Sequence, residues 1–168
     1  MKKIYSIICL AIFCLSIGAV SAFAGWHDLT QTQRNQAIID EAQSWTTGDD
    51  GGQCKEWVRT VVLNASGNLV NIPSNDGYCE WGYDAYVKER NVDIMSVTAG
   101  DLVQMTLSSA YGSGPHTLVV LWRGLSGILV RESNWCNPAT CETVHESRFV
   151  TYSTFDAMVT CYTIYYIE

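Results

Sequence analysis

The chain is poor in basic residues, with 10 lysines and arginines against 17 aspartates and glutamates in 168 residues. That balance argues against nucleic acid as a partner, because binding there is dominated by basic contacts to phosphate. It also offers no electrostatic attraction to anionic membranes or anionic wall polymers. No internal repeat, linker or low-complexity segment interrupts the sequence, and its length suits one domain with a single core. The apolar run from about Ile7 to Val20 is short for a membrane span, and no basic stop-transfer cluster follows it.

That run instead has the form of a secretory signal. Lys2 and Lys3 precede it and Ala22-Phe23-Ala24 follows in the small-x-small pattern, which places cleavage after Ala24. The expected division is therefore 1–24 as signal peptide and 25–168 as a single exported domain, periplasmic or extracellular, with no membrane attachment after cleavage. Loss of Lys2 and Lys3 takes the net charge from −7 to −9. Cys9 and Cys14 leave with the signal, and the remaining five cysteines are Cys54, Cys79, Cys136, Cys141 and Cys161. An odd number in an oxidising compartment leaves one thiol over. Pairing Cys136 with Cys141 and Cys79 with Cys161 leaves Cys54 free. A metal site from Cys136, Cys141 and His145 is the rival, but its spacing fits the common zinc patterns poorly, and no cofactor or metal is expected.

The stretch that organises the chain is Gly51-Gly52-Gln53-Cys54-Lys55-Glu56-Trp57-Val58 and its continuation to Leu63. Cys54, Trp57, Val58, Val61 and Val62 fall at the spacing of a helix with one buried face. Two glycines just ahead of it predict an abrupt start, with Cys54 in the first turn. Unpaired backbone N–H groups and the positive end of the helix dipole favour an anion there, so the thiol is placed to ionise near neutral pH. The bland alternative is a small apolar residue on a core-facing stripe.

Around this stretch, Leu29 to Trp45 reads as an amphipathic helix opened by a Thr30–Gln33 capping box. Asp49 and Asp50 read as turn formers rather than calcium ligands. From Gly67 to about Thr98 no period is visible, although Tyr78, Trp81, Tyr83 and Tyr86 supply aromatic surface for core or cleft. Strands then take over. Leu102 to Leu107 is apolar, and His116 to Trp122 with Ile128 to Asn134 predicts a β-hairpin. With Gly124-Leu125-Ser126 as its loop, His116 lies opposite Asn134 and one pair diagonal from Glu132, whereas an even loop without a bulge turns His116 to the other face. Phe149 to Tyr152 predicts a further strand, Ser153 to Asp156 the start of a short helix with Asp156 at its positive end, and Thr160 to Ile167 a closing strand. Helices first and a mostly antiparallel sheet after them define an α+β domain.

A cysteine at a helix start, a histidine opening a strand and polar residues on the next strand are the parts required for acyl transfer through a thiol. Cys54 is the candidate nucleophile and His116 the candidate base, with Glu132 or Asn134 to hold the imidazole. His27, near the mature terminus, and His145, in the cysteine loop, are the competing histidines.

Taken together, Gly52-Gln53-Cys54 with Trp57, Ala99-Gly100-Asp101-Leu102-Val103, Gly114-Pro115-His116-Thr117-Leu118-Val119-Val120 and Glu132-Ser133-Asn134-Trp135 resemble the CHAP domain, the cysteine- and histidine-dependent amidohydrolases/peptidases. The likeness runs from about Trp45 to the C-terminus. It implies a papain-like fold related to NlpC/P60 peptidases, with N-terminal helices packed on the sheet. By the same resemblance Cys54 is the nucleophile, His116 the base, and Glu132 and Asn134 the residues that orient and polarise it. The implied activity is hydrolysis of an amide bond of peptidoglycan, between muramic acid and L-alanine or within the peptide. Four further cysteines and the lack of a recognisable wall-binding module depart from lytic members. Two other readings compete: a non-catalytic secreted binding module on the same fold, and a cysteine peptidase acting on a substrate outside the wall.

Overall fold

The structure is a computed structural model that describes residues 25–73, 85–135 and 143–168. The expected signal peptide therefore lies outside the described residues, as do Tyr78, Trp81 and Tyr83 and the cysteines Cys79, Cys136 and Cys141. Among the described residues there are three α-helices, α1 (Gln31–Ser44), α2 (Cys54–Ala65) and α3 (Tyr152–Met158). They accompany six strands: β1 (Val87–Glu89), β2 (Leu102–Leu107), β3 (Pro115–Arg123), β4 (Gly127–Arg131), β5 (Arg148–Thr151) and β6 (Val159–Ile167). The strands form one sheet in the order β1-β6-β2-β3-β4-β5, and every neighbouring pair is antiparallel. The chain is thus an α+β fold. None of the described helices is long and apolar enough to cross a membrane.

Each element follows from local chemistry. The Thr30 hydroxyl accepts from the Gln33 N–H while the Gln33 side chain accepts from the Thr30 N–H, which closes the capping box of α1. In α2 the buried residues are Cys54, Trp57, Val58, Val61 and Val62, the stripe its spacing implies. Alternation along the strands sends Leu102, Val119, Leu121 and Tyr165 to one side of the sheet, where α1 and α2 cover them with Ile38, Trp57 and Val61. Val103, Met105, Leu118, Val120 and Val130 face the other side, where Phe155 and Met158 of α3 close a second apolar cluster.

Three expectations need correction. The short helix α3 is capped by Thr151, whose hydroxyl accepts from the Thr154 N–H, and Asp156 stands exposed beyond its first turn rather than at its positive end. The segment without visible period, for which the sequence predicts no element, holds β1, whose three residues pair with the end of β6. A strand so short carries no periodic signal and exists because a neighbour supplies its hydrogen bonds.

The third correction concerns the β3–β4 hairpin. Arg123 pairs with Ile128, so its loop has one residue more than the three expected. A bulge between Val120 and Trp122 absorbs the extra residue, and Val119 pairs with Arg131 as the shorter loop would have arranged. The bulge therefore restores the register on the side of the hairpin where His116 lies. His116, Leu118 and Glu132 share one face as a result.

Candidate active site

Helix α2 begins at the end of the sheet where β3 starts, and its placement depends on the glycines before it. Gly52 adopts φ +63, in the left-handed region that disfavours side chains. Gly51 has no room for one, since a Cβ there would fall 2.5 Å from Ser133 Oγ and 2.9 Å from Val144 Cγ2. Buried Ser133 donates from its hydroxyl to the Gly52 carbonyl at 2.9 Å, which ties the helix start to the segment after β4.

Cys54 is the free thiol among the described cysteines, whereas Cys161 is disulfide-bonded. The expected partners Cys79, Cys136 and Cys141 are outside the described residues. The Cys54 side chain is 7% exposed, its Sγ lies 4.0 Å from the Pro115 carbonyl oxygen, and it is hydrogen-bonded to His116. His116 is buried, and its Nε2 lies 2.7 Å from Glu132 Oε2. With Nε2 so engaged, Nδ1 is the ring nitrogen that serves the sulfur. Glu132 is fully buried and also accepts from Arg148, through Nε to Oε1 and through Nη2 to Oε2 at 3.3 Å. Cys54, His116, Glu132 and Arg148 thus form one continuous line from α2 through β3 and the end of β4 to β5.

The electrostatics follow from this line. Burial pushes the Cys54 thiol up, but the hydrogen bond and charge of His116 outweigh it, helped by the backbone N–H groups of Thr117 and Lys55, and the thiol stands below its ordinary value. Burial alone would lower His116, yet its bonds to Cys54 and Glu132 raise it to about 9. Burial alone would raise Glu132, and His116 and Arg148 instead hold it at about 2. Between those limits His116 is an imidazolium and Glu132 a carboxylate, flanked by the Arg148 guanidinium on one side and the lowered thiol of Cys54 on the other. Each buried charge has a neighbour of opposite charge, which buried ions require.

Asn134 has a different place from the one its position on the strand suggests. Its backbone is left-handed at φ +58, and its Nδ2 donates at 2.8 Å to Oε1 of Gln53, the residue that caps α2. Glu132 is the residue that holds the imidazole. Asn134 braces the carboxamide beside the nucleophile, and its own turn out of the strand geometry is the reason.

The fold is similar to the crystal structure of Ly7917. That match has a TM-score of 0.51 at 12% identity and covers 81% of this chain and 62% of that one, so this chain spans less than two thirds of its neighbour. No protein-family model and no curated protein matches the chain.

A cleft of about 500 Å³ opens beside the imidazole, lined by Leu107, Tyr111, Pro115, His116, Asn134 and Trp135. A larger groove of about 630 Å³, lined by Met95, Trp122, Leu125 and Tyr152, lies at the other end of β3, remote from the thiol. Neither competing histidine enters the site through its ring: His27 is exposed against Tyr86, and His145 meets Glu132 only through its backbone N–H. Asp49 and Asp50 accept from the Thr46 and Gly52 N–H groups, the local bonds of turn formers. Sequence reasoning missed Arg148. The signal that finds it is a carboxylate expected to be buried in a chain with few cations, together with strand parity, since Arg148 pairs with Val130 one step diagonal from Glu132.

Proposed function

We propose that the chain is a secreted cysteine amidase or endopeptidase of the CHAP type, with a papain-like fold, acting on amide bonds of peptidoglycan through residues 25–168. The observation that carries the proposal is the free, buried Cys54 at a helix N-terminus, bonded to an imidazole that Glu132 holds from behind at 2.7 Å. A disulfide at Cys54, or a His116 out of reach, would have favoured a binding module instead.

In the proposed reaction the Cys54 thiolate attacks the amide carbonyl carbon, forming the C–S bond and moving the carbonyl electrons onto oxygen. Backbone N–H groups at the start of α2 steady that oxyanion together with the Gln53 carboxamide. His116 gives its proton to the leaving nitrogen as the C–N bond breaks, which leaves a thioester and a neutral imidazole. The imidazole then takes a proton from water as its oxygen attacks the thioester, the C–S bond breaks, and the thiolate–imidazolium pair returns. Glu132 orients the ring in both steps, and Asn134 acts through Gln53.

A second reading rests on the charge of −9 after signal removal. It supplies no steering toward anionic polymer, which favours a peptide or other amide outside the wall as the substrate. Mass spectrometry of purified peptidoglycan incubated with residues 25–168, beside the Cys54→Ala variant, separates the readings. New fragments released only by the intact thiol support wall hydrolysis, and their masses identify the bond. No release from several wall chemotypes would remove the wall as substrate.

A further inference from the structure

Behind Glu132 the line of contacts closes into a loop that the chemistry above does not use. Trp135 lies edge-on to His116, with ring centroids 5.0 Å apart and planes at 66°. Its face receives the Arg148 guanidinium, whose Cζ is 4.0 Å from the ring centroid. Arg148 in turn reaches both oxygens of Glu132, and Glu132 holds His116. Arg148 Nη2 is steadied from the apolar cluster on the same side of the sheet by Met158 Sδ at 3.9 Å. One guanidinium therefore restrains the imidazole by two routes, through a carboxylate and through an indole.

We propose that Arg148 is a positioning residue of the active site, locking Glu132 against His116 and clamping Trp135 against the imidazole ring. The inference rests on the cysteine-nucleophile reading and adds a residue to it. A fully buried carboxylate with the imidazole as its sole partner would hold one oxygen in place and leave the other unbonded; the planar fork of arginine occupies that second oxygen and fixes the plane of the carboxylate. The charged groups around Glu132 are His116 from β3, Arg148 from β5 and, one bond further, Cys54 from α2, while His145 approaches with its backbone. Arg148 is thus the cation that lets the carboxylate remain ionised when the imidazole is neutral, as it is midway through the proposed cycle.

The test reads the thiol rather than a substrate, so it stays apart from the identity of the amide. In residues 25–168, the rate of Cys54 alkylation by iodoacetamide is followed at neutral pH by peptide mass mapping, for the native chain and for Arg148→Met, Arg148→Lys, Glu132→Gln and the double variant Glu132→Gln/Arg148→Met. The expected result is a loss of about tenfold for Arg148→Met, equivalent to one pKa unit of differential interaction, with partial recovery in Arg148→Lys. Because the route through Glu132 is already broken in Glu132→Gln, adding Arg148→Met there should cost clearly less than tenfold, the remainder being the route through Trp135. Carbon-13 NMR of labelled glutamate side chains should show Glu132 titrating at higher pH in Arg148→Met, a change that loss of packing would not produce. An unchanged rate in Arg148→Met, or an equal further loss in the Glu132→Gln background, would overturn the proposal. If Arg148→Met does not fold, Glu132→Gln and the double variant decide the matter, since neither leaves a buried carboxylate unpaired. A native Cys54 that reacts no faster than a free cysteine would overturn the nucleophile reading and this inference together.

Discussion

The two sides of the sheet do different work. On the side covered by α1 and α2 a continuous apolar cluster runs from Ile38 through Trp57 and Val61 to Val119 and Tyr165, and the polar pair Thr117–Gln104 beside it is neutral. On the side closed by α3 the apolar cluster of Leu118, Val120 and Val130 runs out at the end of β3 into His116, Glu132 and Arg148, where charge is buried instead. The first surface holds the fold together, and the second gives part of its burial to a network of linked ions. Helix α2 joins them: its stripe belongs to the first side, and its first residue, Cys54, reaches the imidazole of the second. A single register along β3 therefore serves both packing and chemistry.

Breaking the charged side should have the largest effect. Glu132→Gln leaves Arg148 and the imidazolium without their carboxylate and is expected to cost about 3–5 kcal/mol in denaturant unfolding, together with the rapid alkylation of Cys54. The apolar side should separate stability from reactivity. Ile38→Ala in α1 removes a fully buried side chain far from the thiol and should cost about 2–5 kcal/mol while Cys54 alkylates at the native rate. A parallel loss of reactivity in the folded variant would show that the two sides are not independent.

The charged side should make stability depend on pH. Glu132 is depressed to about 2 from an ordinary value of 4.5, so its contribution is present above 4.5 and lost as pH falls through about 2. His116 is raised to about 9 from 6.5, so its contribution is complete below 6.5 and lost as pH rises through about 9. Thermal melts of the native chain should accordingly be highest between these windows. Glu132→Gln should flatten the acid side of that profile, and Ile38→Ala should lower it without changing its shape.

Smaller changes sharpen the junction. Gly51→Ala drives a methyl group into Ser133 and Val144 and should cost about 1–3 kcal/mol, with slower Cys54 alkylation as the helix start shifts. Thr151→Ala removes the cap of α3 and should cost about 1 kcal/mol in unfolding experiments, leaving alkylation untouched.

Much of this arrangement is legible in the sequence. The spacing of Cys54, Trp57, Val58, Val61 and Val62 reports a helix with one buried face because helical period and burial act on neighbours in sequence. The same holds for the Thr30–Gln33 box, where donor and acceptor are three residues apart. The hairpin was legible with its register at His116, but its loop length and bulge were not. A four-residue turn and a bulge offset each other, and neither leaves a mark in the hydrophobic alternation that would distinguish the pair from a three-residue loop alone. Asn134 shows the same limit, since a left-handed backbone redirects a side chain that strand parity would have aimed at His116.

Local order, then, came from residues within a few positions of one another: the helices, the hairpin and a thiol at a helix start. Which groups meet was decided at distances of 16 residues and more, where Glu132 finds His116 and Arg148, and of 81, where Ser133 fixes Gly52 and Asn134 reaches Gln53. Propensity and periodicity act along the chain. The pairing of buried charges acts across it, and becomes determinate only when the sheet register has brought the partners to hydrogen-bond distance.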